Sequence, residues 1–419
     1  MTSALPSEVT VELDAAELDR DRRRIGSLRQ VGAGPRAIIA FAYEPDWLAG
    51  RDAFVLDPSH GLFAGDQYPR DGAIAGVFTD TAPDRWGRTL LERREAIRAR
   101  EEGRRPRTLG EWEFVLGASD ALRMSALRFV TAEGRHLDDE VDGPDAVPPM
   151  ARLCELEQAA SEVENPSRGA RSGEMERLAL LLAPGSSLGG ARPKTTFAGE
   201  TGDLWLAKFP SHGDRHDVGA WEFVLNGLAE RAGIVVPERR LLRLVGGHRT
   251  FAARRFDRAG EARRLYASAM TLTGRRDRDD ASYLDIALAI ADHGAPGRIE
   301  EDLGQLFRRV VFNVVTAHRD DHLRNHGFLR TRAGWRLSPA FDLNPVPARP
   351  EHELSIDGSI RRPSLDLVAE TAPYYRLSSA EAQAVIDEVR DAVAGCREAA
   401  RAVDLPSTEI DLIAGAFAV

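Results

Sequence analysis

The chain has 419 residues, 43% hydrophobic and 29% charged, with 56 basic against 66 acidic side chains and a net charge of −10. That is the balance of a globular chain with room for more than one core. No apolar run is long enough for a bilayer span, and the acidic total argues against autonomous nucleic-acid binding, where attraction to phosphate dominates. The two cysteines, Cys154 and Cys396, lie far apart and outside any CxxC spacing, which excludes a disulfide scaffold and a cysteine-rich zinc site. The first residues are too acidic and too weakly apolar for a secretory signal, so the cytoplasm is the expected compartment.

Residues 31–130 read as a compact α+β region. RAIIAFAYEPDWL is a strand running into a turn, GAIAGVFTDTAPDRWGRTLLERREA a loop feeding an amphipathic helix, and EFVLGASDALRMSALRF a helix and then a strand ending near Phe129. The stretch RTLLERREAIRAREEGRRPR is rich in arginine, but its interleaved glutamates mark a solvated helix face rather than a nucleic-acid patch. AEGRHLDDEVDGPDAVPP is polar and rich in Pro and Gly, and a boundary falls there. PMARLCELEQAASEVEN opens a helix, and NPSRGARSG interrupts before EMERLALLLAPG. A second α+β region, 175–265, runs from SSLGGARPKTTF through DLWLAKFP and the helix VGAWEFVLNGLAERAG to the alternating strands of IVVPERRLLRLVGGHRTFAARRFDR. From residue 277 onward the pattern is mainly helical, with no internal repeat and no long low-complexity tract.

In SSLGGARPK, residues Ser186 to Lys194, consecutive glycines let backbone N–H groups approach an anion and Lys194 adds charge; a plain Gly-Gly turn between strands fits equally. It is not a Walker A loop, because no G-K-[ST] lies at the required spacing. Lys208 sits in the apolar run LWLAKFP, where an ammonium must be paired or do chemistry, and Glu222 in the following helix is the candidate partner. Protein kinases use such a strand-lysine and helix-glutamate pair to position ATP phosphates; the alternative is a lysine snorkelling from an edge strand.

HRDDHLRNHGF, His318 to Phe328, admits two readings. His318, His322 and His326, spaced by four, would share a helix face and could bind zinc. Alternatively His318-Arg319-Asp320 followed by Asn325 fits the kinase catalytic loop H-R-D-x-x-x-x-N, in which the Asp orients the attacking hydroxyl and the Asn ligates magnesium. LSPAFDLNP then supplies a second magnesium ligand, Asp342, beside Phe341, with HGFLRTRAGWRL as a hairpin between. The order of these elements favours the phosphotransferase, and DDHLRN, polar on every face, counts against a zinc helix.

With those residues the chain resembles the HipA family of bacterial toxin serine/threonine kinases, over most of its length. FAYEPDWL and TAPDRWGRTLL look like the family's N-terminal region, SSLGGARPKTTF its phosphate loop and RRFDR the strand before its nucleotide hinge. HRDDHLRNHGF and LSPAFDLNP look like its catalytic and metal-binding segments. The resemblance implies an α+β, bilobal protein-kinase-like fold: an N-terminal accessory subdomain over 1–135, a kinase N-lobe over 136–267 and a mainly helical C-lobe over 268–419.

It implies a protein kinase using ATP and magnesium, with Asp320 as the catalytic aspartate and Asn325 and Asp342 on the metal. Gly189, Gly190, Ala191, Arg192, Pro193, Lys194, Lys208, His322, Arg324 and Phe341 would meet the nucleotide, with Ser268, Ala269 and Met270 at the adenine hinge. Ser187 matches a serine whose autophosphorylation expels the loop and silences the enzyme. The implied role is that of a toxin, with a small DNA-binding antitoxin of the HipB type as partner, DNA reached only through it, and an aminoacyl-tRNA synthetase or similar translation factor as target.

Two departures stand out. Asp321 replaces a glycine of the best-known member and is expected to crowd the site with a second carboxylate, and Arg192-Pro193 makes the loop stiffer and more basic. Two other functions share these residues: a small-molecule phosphotransferase, and a catalytically silent corepressor bound to its antitoxin.

Overall fold

EVTVEL alternates, so Val9, Val11 and Leu13 fall on one face and are buried together. The computed structural model describes residues 5–18, 22–137, 147–165, 174–182, 190–277 and 279–418. In it β1 (Glu8–Leu13) lies between β2 (Arg23–Val31) and β4 (Leu127–Val130), and β3 (Ile38–Tyr43) pairs with the far side of β2; every neighbour is antiparallel. β1 and most of β2 precede the stretch 31–130 read as α+β from its own pattern, though they fall within the accessory subdomain expected over 1–135. Their acidic and arginine residues mask the inner positions, which alternate in β1 and are Ile25, Gly26 and Leu28 in β2.

The chain forms two compact units, 1–212 with 257–267 and 213–256 with 268–419. Residues 213–256 group with the helical part because α5, described below, packs on helices near the C-terminus.

The first unit adds α1 (Arg85–Glu101), α2 (Glu111–Leu116), α3 (Leu153–Glu164) and α4 (Glu174–Leu182) to its sheet. Asp84 caps α1, accepting from the Gly87 N–H at 2.8 Å. β5 (Lys194–Ala198) and β6 (Leu204–Lys208) form an antiparallel hairpin whose register sets Lys194 opposite Lys208. Residues 257–267 complete this unit: Arg263 Nη2 donates to the Asp120 carbonyl at 2.7 Å, and the Tyr266 N–H donates to Ser125 Oγ at 2.9 Å.

The second unit begins with α5 (Val218–Arg231), capped by Asp217, whose Oδ1 accepts from the Ala220 N–H at 3.0 Å. Gly219 is required there, since a Cβ would sit 2.2 Å from the Arg249 carbonyl oxygen. The antiparallel pair β7 (Arg239–Leu242) and β8 (Thr250–Arg254) follows, then α6 (Tyr283–His293), opened by a Ser282–Asp285 capping box.

α7 (Ile299–Val315) carries Glu300, Glu301 and Asp302 in its first turn, matching the helix dipole, and buries every residue from Arg309 to Val315. β9 (Gly327–Arg330) and β10 (Trp335–Leu337) make the expected hairpin, and α8 (Ser379–Ala394) and α9 (Cys396–Ala402) lie near the end of the unit. Cys154 is exposed and Cys396 buried, and both are free thiols. Burial pushes the Cys396 thiol up to about 12, so it packs as an inert apolar group. Among the described residues no helix is long and apolar enough to cross a membrane.

Candidate active site

The apolar run VVFNVVTA ends α7, and the polar cluster begins where the helix stops. Ala317 takes a left-handed φ of 52° and the His318 N–H reaches back to the Asn313 carbonyl at 3.0 Å, the six-to-one bond of a Schellman turn. The turn throws His318 to Asp320 out as extended chain. A 3₁₀ turn, Leu323–Asn325, then folds the loop back, with the Asn325 N–H on the His322 carbonyl at 2.8 Å and Asn325 Nδ2 on the Asp320 carbonyl at 3.3 Å. Asp320 and Asn325 are brought together by this turn. Asn325 is buried while the Asp320 side chain is 56% exposed.

The segment carrying Asp342 is tied to the same loop. His318 Nδ1 meets the Asn344 carbonyl at 2.7 Å, and the Val346 N–H donates to the Ala317 carbonyl at 2.8 Å. The Glu353 N–H donates to the Arg319 carbonyl at 3.1 Å, and Arg319 Nη1 to the Pro347 carbonyl at 3.4 Å. Asp342 itself is held at a left-handed φ of 60°, uncommon outside glycine, and Asn344 Nδ2 lies 3.4 Å from its Oδ1. Phe341 packs on Phe256, ring centroids 5.5 Å apart. Ser268, Ala269 and Met270 form the cap and first turn of a short helix whose Ala269 N–H donates to the His326 carbonyl at 2.7 Å, which sets the expected hinge beside the loop of residues 318–328.

Asp321 does not crowd this site. Adjacent residues of an extended chain point to opposite sides, and its carboxylate turns inward, where only 2% of the residue is exposed. Asp321 Oδ2 accepts from Asn313 Nδ2 at 2.7 Å and the Tyr283 hydroxyl at 3.0 Å, and meets His326 Nε2 at 2.8 Å. Burial alone would push its carboxyl up, but the His326 ring, with His318 and Tyr283, holds it well below the usual carboxylate range. Burial and the facing Asp321 carboxylate raise the Tyr283 hydroxyl well above its ordinary value.

The zinc ladder fails on the same geometry. His318, His322 and His326 share no helix face: His318 serves Asn344, His326 serves Asp321, and among the described residues no group of three or more His, Cys, Asp or Glu side chains could hold a metal. His322 lies between them, half-buried. Arg324 forms a two-point pair with Asp277, both contacts 3.0 Å. One residue that sequence reasoning missed enters the site. Arg349 Nη1 lies 2.7 Å from Asp320 Oδ1 and 3.2 Å from Glu353 Oε2. Nothing local in ARPEH signals this, because the loop is placed by backbone bonds to the catalytic segment.

The remaining expected residues are distributed between the units. Ser187 and Gly189 lie outside the described residues. Gly190 takes a φ of 103°, and Arg192 Nη1 donates to the Phe209 carbonyl at 3.2 Å. Ala191 and Pro193 lie in the same turn of the first unit, where the Pro193 carbonyl accepts from the Phe209 N–H at 2.9 Å. Lys194 is buried, its ammonium 2.6 Å from Asp84 Oδ2. Lys208, also buried, ends β6 in the first unit, and Glu222 is buried on α5 in the second.

Residues 186–396 match the family model of the HipA-like C-terminal domain. The structure superposes on HipA of Shewanella oneidensis MR-1, solved in a complex with HipB and its operator DNA, over 97% of this chain and 94% of that one, with a TM-score of 0.66 at 18% identity. The mixed helix-and-sheet fold expected from the sequence is therefore the fold found. A proinflammatory kinase of Helicobacter pylori, CtkA, matches over 50% of this chain and 94% of its own, with a TM-score of 0.34 at 14% identity. No curated protein matches the sequence.

Proposed function

The chain belongs to the HipA family, and on that premise we propose that it is a kinase moving the γ-phosphoryl group of ATP to a serine or threonine hydroxyl of a protein. What supports this reading most is that one hydrogen-bonded loop system carries Asp320, Asn325 and Asp342 together.

Asn325 and Asp342 offer the hard oxygens that magnesium takes. Beside them Asn344 Oδ1 is buried with no hydrogen-bond partner among the described residues, an oxygen that a cation would satisfy. Asn325 and Asp342 would hold the ion, which when bound offsets charge on the phosphates. In the transfer, a bond forms between the acceptor oxygen and the γ-phosphorus, the bond from that phosphorus to the β–γ bridging oxygen breaks, and ADP leaves. Asp320 orients the acceptor hydroxyl and takes its proton. Arg349, on Oδ1, fixes the exposed carboxylate so that Oδ2 faces the acceptor. Catalysis is positioning plus electrostatic stabilisation.

The proposed role is that of a toxin restrained by a HipB-like antitoxin, with a translation factor such as an aminoacyl-tRNA synthetase as target. A small basic partner would supply the DNA contact that a net charge of −10 disfavours. Incubating the purified chain with γ-labelled ATP, magnesium and a bacterial lysate is expected to label protein, and expression is expected to arrest growth, both lost in Asp320→Asn. Label found only in small molecules, or arrest undiminished in the variant, overturns the reading.

A further inference from the structure

We propose that Asp84, at the start of α1, is a positioning residue for the polyphosphate of the nucleotide, acting through its pair with Lys194; the inference rests on the kinase reading above. The carboxylate has two tasks. Oδ1 caps α1 through the Gly87 N–H, and Oδ2 takes the Lys194 ammonium at 2.6 Å from across 110 residues of sequence. The turn that ends the glycine-rich loop is bound at both its ends to residues 84–86. The Gly190 carbonyl accepts from the Trp86 N–H at 3.2 Å and from Lys194 Nζ at 3.2 Å, and the Lys194 carbonyl accepts from Trp86 Nε1 at 3.2 Å.

Gly190 reaches this position only at its left-handed φ of 103°, and a Cβ there would lie 3.3 Å from Lys194 Nζ.

The chemistry is not that of simple glue. The side chains of Lys194 and Asp84 are 2% and 7% exposed, and taking both charges out of water is costly, so an apolar pair of similar size would hold the two segments at least as well. What the ionic pair adds is direction. It fixes the ammonium between one carboxylate oxygen and one carbonyl, and with it the path of residues 190–194.

It also bears on register. Lys194 lies directly opposite Lys208 in the hairpin, both buried, and like charges on opposed residues are unfavourable. Asp84 offsets the charge of Lys194. On this geometry the Lys194 side chain serves the loop's shape, and does not itself reach for the phosphates.

The test compares Mg-ATP with adenosine, which carries no phosphate, by calorimetric titration of the full chain. The wild type is expected to bind both. Asp84→Asn is expected to raise the Kd and KM for ATP about tenfold or more while adenosine affinity and kcat stay within about threefold, the split that lost positioning of one substrate group produces. Should Asp84→Asn fail to fold, the double variant Asp84→Leu/Lys194→Met removes both charges together and is expected to fold with the same selective loss. Wild-type affinity for ATP in a folded variant, or an equal fall for ATP and adenosine, overturns the role of Asp84 alone. A wild-type chain that binds neither ligand overturns the kinase reading itself.

Discussion

Asp320 and Asp321 are neighbours in the chain and opposites in environment. In the proposed reaction Asp320 and Asp342 would act chiefly in the transition state, so replacing either with Asn is expected to slow phosphoryl transfer by at least about a thousandfold with the melting temperature unchanged; steady-state kinetics and calorimetry check this. Asp321→Ala should instead unfold the protein more easily. It strands Asn313 Nδ2, the Tyr283 hydroxyl and the His326 ring in a buried space, a loss of about 3–5 kcal/mol readable by urea titration. Nearby, burial brings the His352 ring down to about 4 from its ordinary 6.5, against the pull of Asp321 and with the push of His318 and Arg319. A histidine kept neutral by folding contributes its full stability above pH 6.5 and loses it as pH falls toward 4, because the unfolded chain binds the proton first. The loss is about 3 kcal/mol, and His352→Phe should remove that part of the decline in urea midpoint.

Among the elements, α1 shows what an arginine-rich stretch can conceal. Glu95 is buried on the helix, and its carboxylate accepts from Arg104 and, at 2.8 Å, from the Arg107 N–H, organising the loop that follows. The Arg104 hydrogen bond, opposed by burial and aided by Arg107, holds its carboxyl down to about 2. A depressed carboxyl stabilises fully above its ordinary 4.5 and loses that contribution as pH falls to 2, so Glu95→Gln should flatten the acid limb of unfolding in that window. The same variant should expose the arginines of 104–107 to trypsin. The interleaved charges were legible as a solvated face, yet the one inward carboxylate was not, since only the tertiary packing of the helix decides which residue points in. The strand IIAFAY, the helices α1 and α7 and the hairpin after residues 318–326 were legible because each carries an apolar run or an apolar period bounded by turns. The strand RRIGSLRQV was hidden by its exposed charges, and the Asp84–Lys194 pair by its sequence separation.

At the level of the whole molecule, the chain passes between its units at 212, 256 and 267. A fragment ending at residue 212 would lack 257–267, leaving Ser125 without the Tyr266 N–H and Asp120 without Arg263. At about 1 kcal/mol per lost hydrogen bond and more for each orphaned buried group, such a fragment is expected to aggregate or exchange its amide hydrogens far faster than the intact chain. If it folds with native protection, the first unit does not depend on its returning strand. In the second unit, the segment from Asn344 to Glu353 is fastened to the catalytic loop by bonds that need nothing beyond the polypeptide. Many enzymes of this chemistry wait for an added phosphate to order the corresponding stretch. In the proposed kinase those bonds would do that work, and the enzyme would need no such phosphate to be switched on. Control of such an enzyme has to be subtractive: a cell can only restrain it, and safety lies in never letting the restraint lapse.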